Sequence, residues 1–328
     1  MVPEGGIAMF KTRVTEKLGI EYPIVGGTMM WLGKPAFVAS ISEAGCLGIV
    51  CSAMWKTKEE FRDCLQEIKG RTKKPFAVNL NLFPAMRPID NEIYLEVLLD
   101  EGVRIIETSG HKAPEDLAVK FKEAGVTWIH KCVGLRYAKK AVSIGADMIT
   151  VVGYENGGAT GVLDLGTFVL IPRVAEALEV PVIGGGGVSN GRGLVAALAL
   201  GAEGVIIGTR FLMSAEAPIH DNLKQALADA QETDTVLVMR SLGNTHRLWK
   251  NERADLITEL EARKAPLHEI VQAAAGEKDR LMFESGDISK GTISCGQGVG
   301  LCHEVKPMKQ IVQDIMREAG EVAKGLVK

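Results

Sequence analysis

The chain has 328 residues, 46% of them hydrophobic but only 5% aromatic, with a formal net charge of −3. That length suits one large domain, or one domain with an insertion, and the weak charge argues against a broad nucleic-acid footprint. No apolar run approaches the ~20 residues of a membrane span, and MVPEGGIAMFKTRV lacks the charged head and apolar stretch of a signal peptide. A cytoplasmic protein is therefore expected. The cysteines at 46, 51, 64 and 132 lie in apolar text and read as small buried hydrophobes. Cys295 and Cys302, followed by His303, have a spacing unlike the usual zinc patterns, so no metal is expected.

In chain order the predicted strands are YPIVGG (22–27), LGIVCSA (47–53), FAVNLNLF (76–83), RIIETSG (104–110), TWIHKCV (127–133), MITVVGYE (148–155), PVIGGGG (181–187) and GVIIGTRF (204–211). Helical text separates them, as in 58–70, 113–125 and 192–201. Segments such as EAGCLGIV, DEGVRIIE, EAGVTWIH, SIGADMIT and ALGAEGVIIG share one design. Each closes a helix on a glycine that takes the left-handed position, then starts a branched, buried strand. Eight strand–helix units, 21 to 33 residues from start to start, match an α/β fold of the (β/α)8 TIM-barrel type. An open doubly wound sheet would satisfy the same periodicity. Residues 213–290 break the rhythm with long charged helical text and read as a helical insertion or lid after the eighth strand. The barrel then comprises 1–212 and 291–328, the latter ending in an amphipathic terminal helix. The insertion also offers surface for a homodimer.

In a barrel, function collects at the C-terminal ends of the strands. The seventh strand ends in VIGGGGVSNGRG (182–193), where bare main chain at Gly185, Gly186 and Gly187 runs toward a helix start and suits an anion. Gly208 and Thr209 close the eighth strand in the same way. Strands seven and eight are where barrels commonly hold a phosphate. G-x-G-x-x-G and its distant acid are missing, so the phosphate belongs to a mononucleotide or a sugar phosphate rather than a Rossmann-bound dinucleotide. Elsewhere on the rim stand Gly26, Gly27, Thr28 and Met29, then Asn79 and Asn81, then Glu107, Thr108, Ser109 and His111. The fifth strand adds His130 and Lys131, and the sixth adds Tyr154, Glu155, Asn156 and Gly158. Amides, hydroxyls, soft sulfur and one lysine suit an isoalloxazine ring, which wants donors and acceptors on its pyrimidine edge and a cation near N1. His111 and His130 read as structural histidines.

These segments together resemble the family of FMN-dependent barrels that includes nitronate monooxygenases, an NADH:quinone reductase and the flavin-type enoyl-ACP reductase. PIVGGTMMW, FAVNLNLFP, ETSGH, IHKC, GYENGG, the run 184–212, MRSLGNTHR and GQGVGL carry the likeness, which is closest to the quinone-reductase branch. The resemblance implies FMN, with its phosphate on Gly186, Gly187, Gly208 and Thr209, its ring near Gly27, Met29, Asn79 and Lys131, and Gly296–Gln297 capping it. It implies NADH or NADPH as co-substrate and a small-molecule electron acceptor as partner. In nitronate-oxidising and enoyl-reducing relatives the sixth-strand loop ends in a catalytic histidine. Here that position is Ala159, which has no proton to exchange. Hydride transfer needs only proximity and orientation, so the reading is an FMN oxidoreductase reducing a quinone or an activated alkene, with Lys131, Tyr154 and Thr160 as catalytic candidates. The alternatives are a nitronate monooxygenase, a flavin-free phosphosugar barrel and a non-catalytic flavin-binding protein.

Overall fold

The structure is a computed structural model and describes residues 10–83, 90–110, 112–274 and 276–326. His111 lies outside the described residues. Eight parallel strands form one sheet: β1 (Ile24–Gly26), β2 (Gly48–Cys51), β3 (Phe76–Asn81), β4 (Ile105–Ser109), β5 (Thr127–Cys132), β6 (Met148–Val152), β8 (Val182–Gly185) and β9 (Gly204–Ile207). The two-residue β7 (Gly158–Ala159) lies outside it. The order β1-β9-β8-β6-β5-β4-β3-β2 closes on itself, because Val25 bridges Leu47 in parallel and Gly26 N–H donates to the Leu47 carbonyl at 2.8 Å. The sheet is thus a TIM barrel, and the open doubly wound alternative falls. Each strand is a residue or more shorter at its C-terminal end than its sequence segment. The residues past the sheet turn into the rim, and Thr209–Leu212 becomes a short helix rather than strand.

Period-two alternation sorts the side chains. Ile49, Ala77, Ile105, Ile129, Met148, Ile183 and Ile206 share the barrel interior, while Trp128 and Cys132 belong to the outer layer under the helices. Helix Arg13–Leu18 plugs the N-terminal end, its Val14 and Leu18 packing into the interior cluster. Thr12 caps that helix and its hydroxyl donates to the Glu203 carbonyl at 2.6 Å, fixing the plug to the end of the chain that enters β9. Helix Met308–Leu326 packs on helix Gly191–Ala199, where Gly191 N–H donates to Glu318 Oε2 at 2.7 Å. A side chain at Gly191 would collide with the backbone of Ile315 and Ala319.

The insertion is not wholly helical. Besides helices Asp221–Ala228, Glu252–Ala262, Leu267–Ala273 and Glu277–Ser285, it holds an antiparallel pair, β10 (Thr235–Val238) and β11 (His246–Trp249). β11 also pairs with β7, so the insertion is stitched to the loop after β6. Val238, Leu248, Ala254, Ile257, Leu260, Ile270 and Ala273 give it a small core of its own.

His130 faces away from the barrel interior, 1% exposed, with Nδ1 2.8 Å from Thr108 Oγ1, and that oxygen also accepts from Trp128 Nε1 at 2.8 Å. Burial holds its imidazole down at about 4, against an ordinary value of 6.5. An unfolded chain takes up that proton first, so the contribution is complete above pH ~6.5 and is lost as pH falls toward 4. At ~1.4 kcal/mol per unit the loss is on the order of 2–3 kcal/mol. Urea denaturation at pH 7.5 and 4.5 should show a smaller difference for His130→Gln than for wild type, by that amount; equal differences would show that His130 does not titrate on unfolding.

Candidate functional site

A single cavity of about 520 Å3 occupies the C-terminal mouth of the barrel, roofed by the β7–β11 sheet and by helix Glu277–Ser285. Its floor is a polar layer above the aliphatic interior. The register sets Cys51 beside Asn79, Asn79 beside Glu107, and Ser109 beside Lys131. Glu107, 0% exposed, is the hub. Its Oε1 accepts from Thr28 Oγ1 at 2.5 Å, from Asn79 Nδ2 at 2.7 Å and from Lys131 Nζ at 2.9 Å. Asn79 also reaches Ser109 Oγ at 3.1 Å. The carboxylate does not itself line the cavity. It fixes Thr28, Asn79 and Lys131, which do.

Bare backbone forms one wall. Gly186 and Gly187, with φ of +97° and +75°, turn the chain out of β8 in a conformation few side chains adopt. Thr167 Oγ1 lies 2.9 Å from the Gly186 carbonyl and 2.7 Å from Glu155 Oε2, and Glu155 also accepts from Thr167 N–H at the start of the next helix. Glu155 therefore serves as a cap and a clamp on the glycine turn. Gly208 and Gly27 approach so closely that a β-carbon on Gly27 would lie 3.1 Å from Gly208 Cα. A β-carbon on Gly208 would meet nothing within 4 Å. Gly296 N–H donates to Thr209 Oγ1 at 3.0 Å and Gln297 N–H to the Glu155 carbonyl at 2.9 Å, drawing the last segment onto the same wall.

Of the residues singled out from sequence, Gly27, Thr28, Met29, Asn79 and Lys131 line the cavity, as do Gly158, Gly186, Gly187, Gly208, Thr209 and Gly296. Gly26 and Gly185 lie at the ends of their strands, where a β-carbon would press on Ile41 and on Ile206 respectively. Two of the catalytic candidates stand elsewhere. The Tyr154 ring lies under the Arg247 guanidinium, 4.5 Å from centroid to carbon, and its carbonyl accepts from Arg247 Nη2 at 3.0 Å. Thr160 is buried beside Thr245, to whose carbonyl its N–H donates at 3.1 Å. Both tie the roof to the barrel and neither is among the cavity-lining residues. Cys51 and Cys132 are among the lining residues, but burial pushes their thiols up to about 11 and about 12, so neither is a thiolate at neutral pH.

The insertion supplies lining residues that the strand-by-strand reading did not single out: Asn244, Thr245, His246 and Asp279. Thr245 Oγ1 is buried without a partner among the described residues. Burial raises the Asp279 carboxyl to about 6, while Thr292 N–H and Oγ1 donate to its Oδ1 at 2.7 and 3.0 Å. The available signal was the Gly243 turn followed by polar residues, inside a segment read as helical.

Removing Lys131 would strand the Glu107 charge in the barrel. Lys131→Met should lower unfolding stability in urea by ~3 kcal/mol or more, and Glu107→Gln in the same chain should return most of it. Equal losses in the single and double variants would mean that the ion pair is not the source.

The fold is widely matched. FabK from Thermotoga maritima superposes with a TM-score of 0.88 at 35% identity, over 96% of this chain and 98% of that one. A nitroalkane oxidase from Streptomyces ansochromogenes gives 0.80 at 23% identity over 95% of this chain and 99% of its own, a likeness of fold. A (3aS,4S,5R,7aS)-5-hydroxy-7a-methyl-1-oxo-octahydro-1H-indene-4-carboxyl-CoA dehydrogenase of Rhodococcus jostii is 37% identical over 78% of this chain and 69% of its own length. A probable nitronate monooxygenase of Staphylococcus aureus is 28% identical over 95% and 98%. The model of the nitronate monooxygenase family matches residues 11–318, nearly the whole barrel and its insertion, and the chain belongs to that family of oxidoreductases.

Proposed function

We propose that this chain is an FMN-dependent oxidoreductase that takes hydride from NADH or NADPH and reduces a quinone or an activated alkene. The observation that carries the reading is one cavity that pairs a fixed ammonium, Lys131, with bare main chain at Gly186, Gly187 and Gly208. The residues fit the group. A side chain at 208 would project into open cavity, and the Thr245 hydroxyl is a buried polar atom in want of a partner. Gly186, Gly187, Gly208 and Thr209 would hold the phosphate, and Gly27, Met29, Asn79 and Lys131 would meet the ring. Bound FMN would supply the two-electron carrier between nicotinamide and acceptor.

The chain's own part is positioning and charge. Lys131, held by Glu107, places a cation where reduction adds negative charge. Asn79 is held in turn by Glu107 and Ser109, so its amide is fixed rather than free to rotate. Val162 and Leu163 extend an exposed apolar rim beside the cavity, which suits an acceptor with a hydrophobic body. The relative named as a carboxyl-CoA dehydrogenase supports redox chemistry on a carbon skeleton. The family description and the full-length staphylococcal relatives favour a second reading, oxidation of alkyl nitronates with O2.

Protein titrated with FMN should develop bound absorbance near ~450 nm. Anaerobic NADH or NADPH should bleach it, and a quinone or 2-cyclohexen-1-one should restore it. Bleaching by ethyl nitronate alone supports the second reading, and a protein that takes up no FMN returns the chain to phosphosugar chemistry. Gly208→Val should fold with an unchanged melting temperature, since nothing lies within 4 Å of the new β-carbon, yet weaken FMN about 100-fold or more. Wild-type FMN affinity in that variant would remove the phosphate from this wall.

A further inference from the structure

Five large apolar side chains stand exposed within one short stretch of the rim: Val162, Leu163, Leu165, Phe168 and Val169. Phe168 is 73% exposed and Val169 62%, whereas Leu170 and Ile171, next in the same helix, are buried. Contiguous exposed apolar surface marks a site of contact. The stretch is also held in place. Tyr154 N–H donates to the Leu165 carbonyl at 2.7 Å, and Arg240 forks onto Asp164 at 3.0 and 2.8 Å. Val162 and Leu163 line the cavity as well, so the patch begins at its opening.

Cations frame it. Helix Leu135–Ser143 packs beside helix Thr167–Ala175, and a β-carbon on Gly134, at the start of the first, would lie 3.4 Å from Leu163 Cδ1. Arg136, Lys139 and Arg173 are exposed on these two helices, and none of them pairs with a carboxylate of the described residues. Arg136 lies over the Tyr137 ring instead. The exposed acids of this surface are already matched, Asp164 with Arg240 and Glu115 with Lys140, while Glu176 stands past the far end of its helix.

Both helices follow parallel strands, so their first turns stand at the mouth. Lys139 and Arg173 sit one turn behind Arg136 and Val169, a setback of about 5–6 Å. Apolar tips ahead and cations one turn behind match the layering of a bilayer surface. There, apolar side chains sink roughly 5–10 Å while Lys and Arg stay among the headgroups. A protein partner would need carboxylates fixed opposite each cation, whereas anionic lipids bring mobile ones. We propose that this patch docks the barrel on an anionic lipid bilayer with the cavity mouth turned toward it. The cavity then opens where apolar acceptors dissolve. The contact needs no flavin, so it goes beyond the redox reading and stands or falls separately from it.

The test uses the full chain, with and without FMN, and vesicles of phosphatidylglycerol and phosphatidylcholine in equal parts. The protein should sediment with these vesicles. Its affinity should fall about 100-fold on pure phosphatidylcholine, the loss expected for three cations near an anionic surface. Phe168→Ser with Val169→Ser should weaken binding about ten-fold or more, as should Lys139→Glu with Arg173→Glu, each at unchanged melting temperature and FMN affinity. Fluorescence of Phe168→Trp should be quenched by lipid brominated in its acyl chains. Three results would overturn the proposal: no sedimentation with the anionic vesicles, wild-type vesicle affinity in the Phe168→Ser, Val169→Ser variant, or a dimer in lipid-free buffer that this variant dissociates, which would make a second copy the occupant. Protein that binds the vesicles but takes up no FMN keeps this proposal and loses the redox reading.

Discussion

One buried carboxylate organises the mouth of this barrel. Glu107 sits at the level where the aliphatic interior gives way to polar side chains, and a single oxygen gathers a hydroxyl, an amide and an ammonium from three other strand ends. Charge buried at that depth is tolerated only with such company. The arrangement turns three flexible side chains into a rigid floor. Thr28, Asn79 and Lys131, which face the cavity from the ends of β1, β3 and β5, take their direction from this one group.

The barrel was legible because its rule is local. A glycine in the left-handed region closes the helix ahead of six of the eight strands, at Gly19, Gly45, Gly102, Gly125, Gly145 and Gly201, and a branched run follows. The same alternation separates Lys131 from its neighbour His130, sending one to the mouth and the other under the helices. Strand ends were overrun because the residues that leave the sheet have the same branched and glycine-rich character as those within it. Thr209–Leu212 is the clearest case, where a strand-like IGTRF turns helical as soon as Gly208 breaks the ladder.

The site was legible where it rests on strands and illegible where it rests on pairings between distant segments. Lys131, Asn79 and the glycines at 186, 187 and 208 follow from their strand positions. Tyr154 and Thr160 follow from the same logic but are claimed by Arg247 and Thr245, partners supplied by the insertion. TVLV and HRLW are short, and charged helical text flanks them, so neither declares itself as a strand. Nothing in the linear text announces that Ala159 and His246 face each other.

Part of the insertion carries a small hydrophobic core separate from that of the barrel, and its sheet is held to the mouth through β7 and through the Arg247–Tyr154 contact. The β10–β11 part of the ceiling therefore rests on a core of its own, while Met282 and Phe283 of the roof helix pack into the main cluster of the barrel. Drift in the ceiling can reshape what enters without disturbing the machinery beneath, so selection on one need not compromise the other. A chassis built in this way lets a lineage exchange substrates by rewriting a few dozen residues while its redox base is inherited intact.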